Sequence, residues 1–495
     1  MRRSNFRRII FSAAAFTALH LLATCGPRFS ADLARRHMQE AWQMVPGILS
    51  RISPPTFPNR EFSILDFGAR PDSTDCREGI QRAISACASA GGGHVIIPAG
   101  VYFVKGPIHL QSNVDLHLQR GAKLYFSTDP RDYTPLVKVR WEGTLCYNYS
   151  PLIYAYRQKN IAVTGEGLLD GQTEKFWFAW KKRQTPDKKR LRRMGNDVVP
   201  VETRVFGNGF LDLNSDGKDD GHGDGKPHFL RPAFIEFFEC RNVLIQGITL
   251  KSSPFWNVHP VFCRNVTIRN VRVRPGITND DGIDPDSCTD VLIENCTVRT
   301  HDDAIAVKAG RDQDAWRRPP TENVIIRRNS LSSGVNGFCI GSEMSGGVRN
   351  VFVEDNHIFA AERGITFKTN LDRGGQVEKI YIRNMEIDTC RDAMFVFRMD
   401  YHGYRGNRFP TKFNDFYASN IRCLRANRSG LRIVGVEGQH IRRVYLHNIT
   451  IGATQQPAII RFADDLLVQN VKINGRLWQP ELRTKTPPRR RGGAP

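Results

Sequence analysis

The chain has 495 residues, 40% of them hydrophobic and 10% aromatic, ample for a large core, so shortage of apolar residues does not prevent folding. Its formal charge is +21, with a pI near 9.7. That balance attracts polyanions such as acidic polysaccharide, nucleic acid or anionic membrane, yet no nucleic-acid motif accompanies it. Nine of those charges sit in the ends (Arg2, Arg3, Arg7, Arg8, Arg483, Lys485, Arg489, Arg490 and Arg491), leaving a body that is still basic at +12.

Residues 1–30 read as a signal peptide. Basic residues lead into the apolar run Ile9–Thr24, which is too short to span a bilayer comfortably. Arg7-Arg8-Ile9-Ile10-Phe11 is compatible with twin-arginine export. Leu22-Ala23-Thr24-Cys25 offers a lipoprotein-like alternative in which Thr24 is atypical. No later segment reads as transmembrane. The expectation is an exported protein, periplasmic or extracellular, with no stable membrane span. Residues 31–61 hold a short amphipathic helix pattern (Leu33, Met38, Trp42, Met44) and a Pro-rich connector.

The body is expected over 62–480. Apolar residues at Ile80, Ala83, Ile84 and Ala88 keep helical spacing, so a helix is predicted over Cys76–Ala88, ended by Gly91-Gly92-Gly93. The strand His94–Ile97 follows. From there short alternating strands recur behind a polar turn residue: Asn113-Val114, Asn160-Ile161, Asn242-Val243, Asn265-Val266, Asp290-Val291, Asn323-Val324, Asn350-Val351, Lys379-Ile380 and Arg443-Val444. The later intervals run from a little over twenty to just over thirty residues. That pattern predicts an all-β, right-handed parallel β-helix whose open end is capped by the early helix. Leucine-rich repeats are disfavoured because Val/Ile strands dominate. Asn suits the turns because it tolerates a left-handed backbone and can hydrogen-bond along a stack. The chain has eleven cysteines and no CxxC pair, so zinc is not expected. Stacked buried thiols and disulfides both remain open.

An insertion is expected around 180–230. It contains Asp212, Asn214 and Asp216 at alternate positions, then Gly217, Asp220 and Asp224, which matches the opening of an EF-hand-type loop. Gly223 stands where the closing Glu belongs. The expectation is a structural calcium held by Asp212, Asn214, Asp216, Asp220 and Asp224, with no cofactor required for catalysis.

The densest chemistry lies in Asn279-Asp280-Asp281-Gly282-Ile283-Asp284 and the pair Asp302-Asp303. The second group follows the first by about one coil, so stacking places them side by side. Carboxylates crowded in this way do not all ionise freely, and one tends to keep its proton near neutral pH. An acid beside a base is what cleavage of a glycosidic bond needs. Residues 481–495 read as a disordered basic tail.

From about 62 to 475 the text resembles the polygalacturonase family of glycoside hydrolases, on the pectin-lyase-like β-helix. The resemblance to its bacterial exo-acting branch rests on Ser253-Pro254-Phe255-Trp256-Asn257-Val258-His259-Pro260, Asp284-Pro285-Asp286-Ser287-Cys288, Ile340-Gly341-Ser342-Glu343-Met344-Ser345-Gly346-Gly347 and Arg363-Gly364-Ile365-Thr366-Phe367-Lys368-Thr369. The family's Asn-Thr-Asp-Gly motif is matched by Asn279-Asp280-Asp281-Gly282, with Asp280 in place of Thr. The resemblance implies an inverting mechanism: Asp302 protonates the leaving oxygen, while Asp281 and Asp303 hold and activate water. It implies carboxyl separations of roughly 6.5–9.5 Å. It assigns substrate contacts to Asn279, His259, His301, Asn336, Glu343, Arg363 and Lys368, with Lys368 on the sugar carboxylate.

Two departures stand out. The family's Gly-His-Gly corresponds to Gly334-Val335-Asn336, and the arginine of its Arg-x-Lys to Thr366. Valine cannot hydrogen-bond and threonine cannot pair with a carboxylate. His301, where the family has Gly, is a candidate to compensate. The expected function is hydrolysis of pectic or related plant-wall polysaccharide by a monomer, exo-acting and with altered uronate recognition. A non-catalytic carbohydrate-binding β-helix and a polysaccharide lyase on the same scaffold are the alternatives.

Overall fold

The computed structural model describes residues 29–72, 74–401, 406 and 408–480. The signal reading falls outside them except for Phe29 and Ser30, and the basic tail falls outside them entirely. The repeats predicted from Val/Ile alternation wind into a parallel β-helix. Strands at Val114–Leu118, Lys159–Gly165, Arg241–Gln246, Arg264–Arg269, Thr289–Glu294, Thr321–Arg327 and Val348–Glu354 pair in parallel, each with the next, and four longer strands continue the series. Inward positions stack in register: Leu116, Val163, Ile245, Ile268, Ile293, Ile326, Val353, Ile382, Ala418 and Leu446, all buried. Each such side chain contributes about 1.5–3 kcal/mol by leaving water. It does so only because the next coil covers it.

The turns are set by one stereochemical need. Asn113, Asn160, Asn242 and Asn265 all hold left-handed backbones, with φ between 52° and 67°. Their amides chain together, each donating to the one before at 2.8–2.9 Å. A second ladder runs through Asn384, Asn420, Asn448 and Asn470. Ten cysteines are free and buried, so stacked thiols rather than disulfides occupy these positions.

The helix predicted over Cys76–Ala88 is found at Arg77–Ser89. It seals the first coil with Ile80, Ala83, Ile84 and Cys87, none of them exposed. The N-terminal helix, α1 (Ala31–Arg51), begins at a Ser30 cap. Its buried face only overlaps the expected one: Ala34, Ala41, Val45 and Ile48 are covered and Met38 and Trp42 pack partly buried beside them, while Met44 is 45% exposed. The reason lies in what it packs on. The outer face of the coils carries its own apolar ladder, Leu292, Ile325, Phe352, Tyr381, Tyr417 and Tyr445. Small residues let the helix lie close to it, and Trp42 meets Phe352 edge-on at 5.3 Å.

The insertion carries helices Trp177–Arg183 and Thr185–Asn196. An antiparallel hairpin, Val137–Trp141 with Thr144–Asn148, accompanies it and is not evident in the sequence. Together they form a satellite core over one sheet face, including Trp141, Leu191, Leu230, Phe255 and Trp256, with Trp141 stacked on Phe255 at 5.0 Å.

Candidate active site

Three successive coils place outward side chains beside one another. Val258, Ile283 and Ile305 pair in register and point inward. Asp281 and Asp303 lie at matching points of successive coils, each two positions before one of the latter, where Gly282 N–H donates to the carbonyl of Asp303, and Asp302 stands in the turn beside them. Oxygens of Asp281, Asp302 and Asp303 lie within 4.8 Å of one another. Carboxylates from separate coils thus become one cluster, as the spacing predicts. The approach is closer than the 6.5–9.5 Å expected, so separation alone does not assign the stereochemistry. Asp281 and Asp303 are buried and Asp302 is partly open.

The turns that present the trio are clamped by Asp280. Its buried carboxylate accepts hydrogen bonds from the backbone N–H of Gly276, His301 and Asp302, all at 2.9 Å. An acceptor with two oxygens does here what a threonine hydroxyl cannot. Asn279 donates to Asp302 at 3.3 Å and is itself oriented by Arg231 at 2.7 Å. Burial pushes Arg231 down to about 10.

Two lysines set the electrostatics. Lys308 Nζ stands 3.2 Å from Asp281, 3.7 Å from Asp284 and 3.6 Å from Glu343. Lys368 Nζ meets Asp303 at 2.6 Å. Asn336 donates to Asp303 at 2.5 Å and Cys339 Sγ lies 3.1 Å away. Although burial opposes ionisation, Lys368 and Lys308 hold Asp303 below the usual carboxylate range. Asp302 goes the other way: burial and the neighbouring Asp303 raise it to about 6. Burial together with Asp302 also raises Asp281, against the pull of Lys308. Asp284, whose oxygens lack hydrogen-bond donors, is raised by burial to about 7. The cluster therefore holds one partly open carboxyl able to carry a proton near neutrality and one anion fixed by lysine. Two ammonium groups, Lys308 and Lys368, lie against the trio and offset part of its charge.

The other candidate residues separate into two layers. Asn336 lies beside the trio, and Arg363 joins it, with Nη1 3.5 Å from Asn336 Oδ1 and Nε 3.3 Å from Asp392. His301 borders the trio, 57% exposed, with Nδ1 3.4 Å from Asp280. His259 and Glu343 lie beneath. His259, 1% exposed, is held between Glu236 and Asp286 and raised to about 9, burial notwithstanding, by those two carboxylates. Glu343 is tied to Lys308, Arg311 and Arg373 and supports Lys308 from below. The sequence alone does not single out Lys308 or Arg231, and it marks Asp280 only as a replacement for Thr, not as a clamp. The one available signal was Lys308 alternating with inward Ile305 and Val307 after the acidic pair.

The residues of the expected calcium loop are not gathered. Asp212 accepts from the backbone of Ser215, Asp216 and Gly217, and Asp216 from Lys218. Asp220 accepts from Leu213. Asp224 turns instead to His228 at 2.9 Å and Arg190 at 3.3 Å. Asn214 accepts from the backbone of Asp216. These side chains satisfy their own turn, and among the described residues the trio is the one acidic group convergent enough to ligate an ion.

Residues 185–464 match the family model "Glycosyl hydrolases family 28", and residues 61–117 match "Rhamnogalacturonase A/epimerase, pectate lyase-like". A probable polygalacturonase of Vitis vinifera is 30% identical over 406 residues, covering 79% of this chain and 74% of that protein. An exo-poly-alpha-D-galacturonosidase of Dickeya chrysanthemi is 25% identical, covering 72% of this chain and 61% of that protein. Among solved structures, an exopolygalacturonase from Thermotoga maritima superposes with a TM-score of 0.81 at 36% identity, over 88% of this chain and 96% of that one.

Proposed function

This chain belongs to glycosyl hydrolases family 28 and is a glycoside hydrolase; from that premise we propose that it is an exported, monomeric enzyme that cleaves pectic polysaccharide, releasing uronate units from a chain end with inversion. The observation that carries the reading is the trio with oxygens within 4.8 Å, one member raised to about 6 and another held down by Lys368. Asp302 gives its proton to the glycosidic oxygen as that bond breaks. A water held between Asp281 and Asp303 attacks the anomeric carbon from the opposite face and loses its proton to them.

Lys368 and Arg363 supply the cations for a uronate. Val335 and Thr366 leave the recognition altered: the Thr366 hydroxyl is buried without a partner, and Arg363 approaches from the row of Asp303 and Asn336 instead. End-wise attack is supported by the satellite core, which covers the sheet face on the early-coil side of the trio. Among the described residues no helix is long and apolar enough to cross a membrane.

Mass spectrometry of products from defined galacturonate oligomers tests this. The expected result is stepwise loss of single uronates, abolished by Asp302→Asn. Internal fragments would contradict end-wise attack, unsaturated ultraviolet-absorbing products would indicate a lyase, and binding without release a non-catalytic β-helix.

A further inference from the structure

The sheet face that bears the trio continues through the later coils, and there its outward positions turn cationic. Three rows cross them in register. One runs from Asn336 through Arg363, Ala393 and Ser429 to Gln456; the second from Thr366 through Val396 and Arg432 to Ile459; the third from Lys368 through Arg398 and Val434 to Arg461. Arg398 and Arg461 are exposed, and Arg363 and Arg432 are half-buried. Asp392 organises the centre. It takes both arms of Arg432, at 2.7 and 2.9 Å, and lies 3.3 Å from Arg363. Arg398 is 3.2 Å from the exposed Asp400. Five cations (Arg363, Lys368, Arg398, Arg432 and Arg461) thus share this strip with Asp392, Asp400 and Glu362, the last paired with Arg363.

The two directions away from the trio are therefore unlike. Toward the early coils the face is covered by packed aromatic side chains. Toward the late coils it offers positive charge at the spacing of the rungs. Rungs repeat at about 4.8 Å, so Lys368 to Arg461, three rungs, spans on the order of 14 Å, the length of a short oligosaccharide.

We propose that Arg363, Lys368, Arg398, Arg432 and Arg461 form a cationic track that holds the polymer beyond the bond being cut, and that it recognises a chain of carboxylates rather than a single terminal sugar. This rests on the pectic reading above and deepens it. Contacts from the exposed Arg398 and Arg461 are individually weak and screened by salt, so the track acts through the number of its cations along one bound chain.

The test is Arg398→Gln/Arg461→Gln, which leaves the Asp392 pairs intact, beside Arg432→Gln, which does not; circular dichroism confirms folding of each. Two readouts separate the track from the reaction. The ratio of kcat/KM on polygalacturonate to that on digalacturonate is expected to fall about fivefold in the double variant, with a weaker dependence on salt. Retention of the Asp302→Asn protein in gels containing polygalacturonate is expected to drop when Arg398→Gln/Arg461→Gln is added, and to be absent in fully methyl-esterified polymer. If wild type cleaves neither substrate while arginine-dependent retention persists, the hydrolytic reading falls and the track stands. If retention and the kcat/KM ratio are unchanged by the substitutions, or the neutral polymer is retained equally, the track is overturned.

Discussion

Asp302 differs from its two neighbours in being partly open and poised near 6. Replacing it with Asn is expected to lower kcat by about 10²–10⁴-fold with little change in KM, measured on short galacturonates. The same shift predicts a kcat/KM that declines above about pH 6 as the proton is lost. It also fixes the sign of a stability effect. Asp302 at about 6 and Asp284 at about 7 bind protons more tightly in the folded chain than at the unfolded value of about 4. Their contribution to stability therefore falls as pH rises from about 4 to 7, and Asp284→Asn should flatten the upper part of that decline in a series of urea titrations. Lys308 is the complementary case. Lys308→Met leaves Asp281, Asp284 and Glu343 without their shared ammonium, and a loss of about 3–5 kcal/mol in the same titrations is expected. The acids of the trio were legible in the sequence because Asp302 and Asp303 are adjacent and Asp281 lies one coil away. Lys308 was not, since its role exists only once residues 281, 284 and 343 converge.

At the scale of elements, two kinds of stacking hold the molecule, and they differ in how openly the sequence declares them. The turn ladder was readable because an Asn amide at a left-handed position recurs before most of the Val/Ile strands, with Asp290, Lys379 and Arg443 taking that place in others. Asn242 donates to Asn160 and accepts from Asn265 at φ 56°. Asn242→Ala loses both bonds and strains the backbone, for an expected cost of about 2–3 kcal/mol, while Asn242→Gly recovers the backbone part. The strap formed by α1 was half readable. Its helical period is plain, but which face is buried depends on an external ladder assembled from six coils, from Leu292 to Tyr445. Val45→Asp places a charge against that ladder. Release of α1 is expected, seen as faster proteolysis within residues 52–60 and as dye binding to the uncovered strip; unchanged protection would contradict the packing described.

For the whole molecule, the sheet face around the trio is asymmetric, blocked by a satellite core on one side and cationic on the other. The repeat period foretold the solenoid but not this asymmetry, because the hairpin Val137–Asn148 breaks the period and Trp141 finds Phe255 only through the fold. Chemistry at the trio then depends on whether water or a carboxylate attacks the anomeric carbon. The 4.8 Å approach of the oxygens makes that question sharp, since so close a spacing also suits a covalent intermediate. Proton NMR of the sugar as it is released from an α-linked trigalacturonate, recorded before mutarotation, answers it: a first-formed β-anomer is predicted, from water held by Asp281 and Asp303, and a first-formed α-anomer would contradict the account.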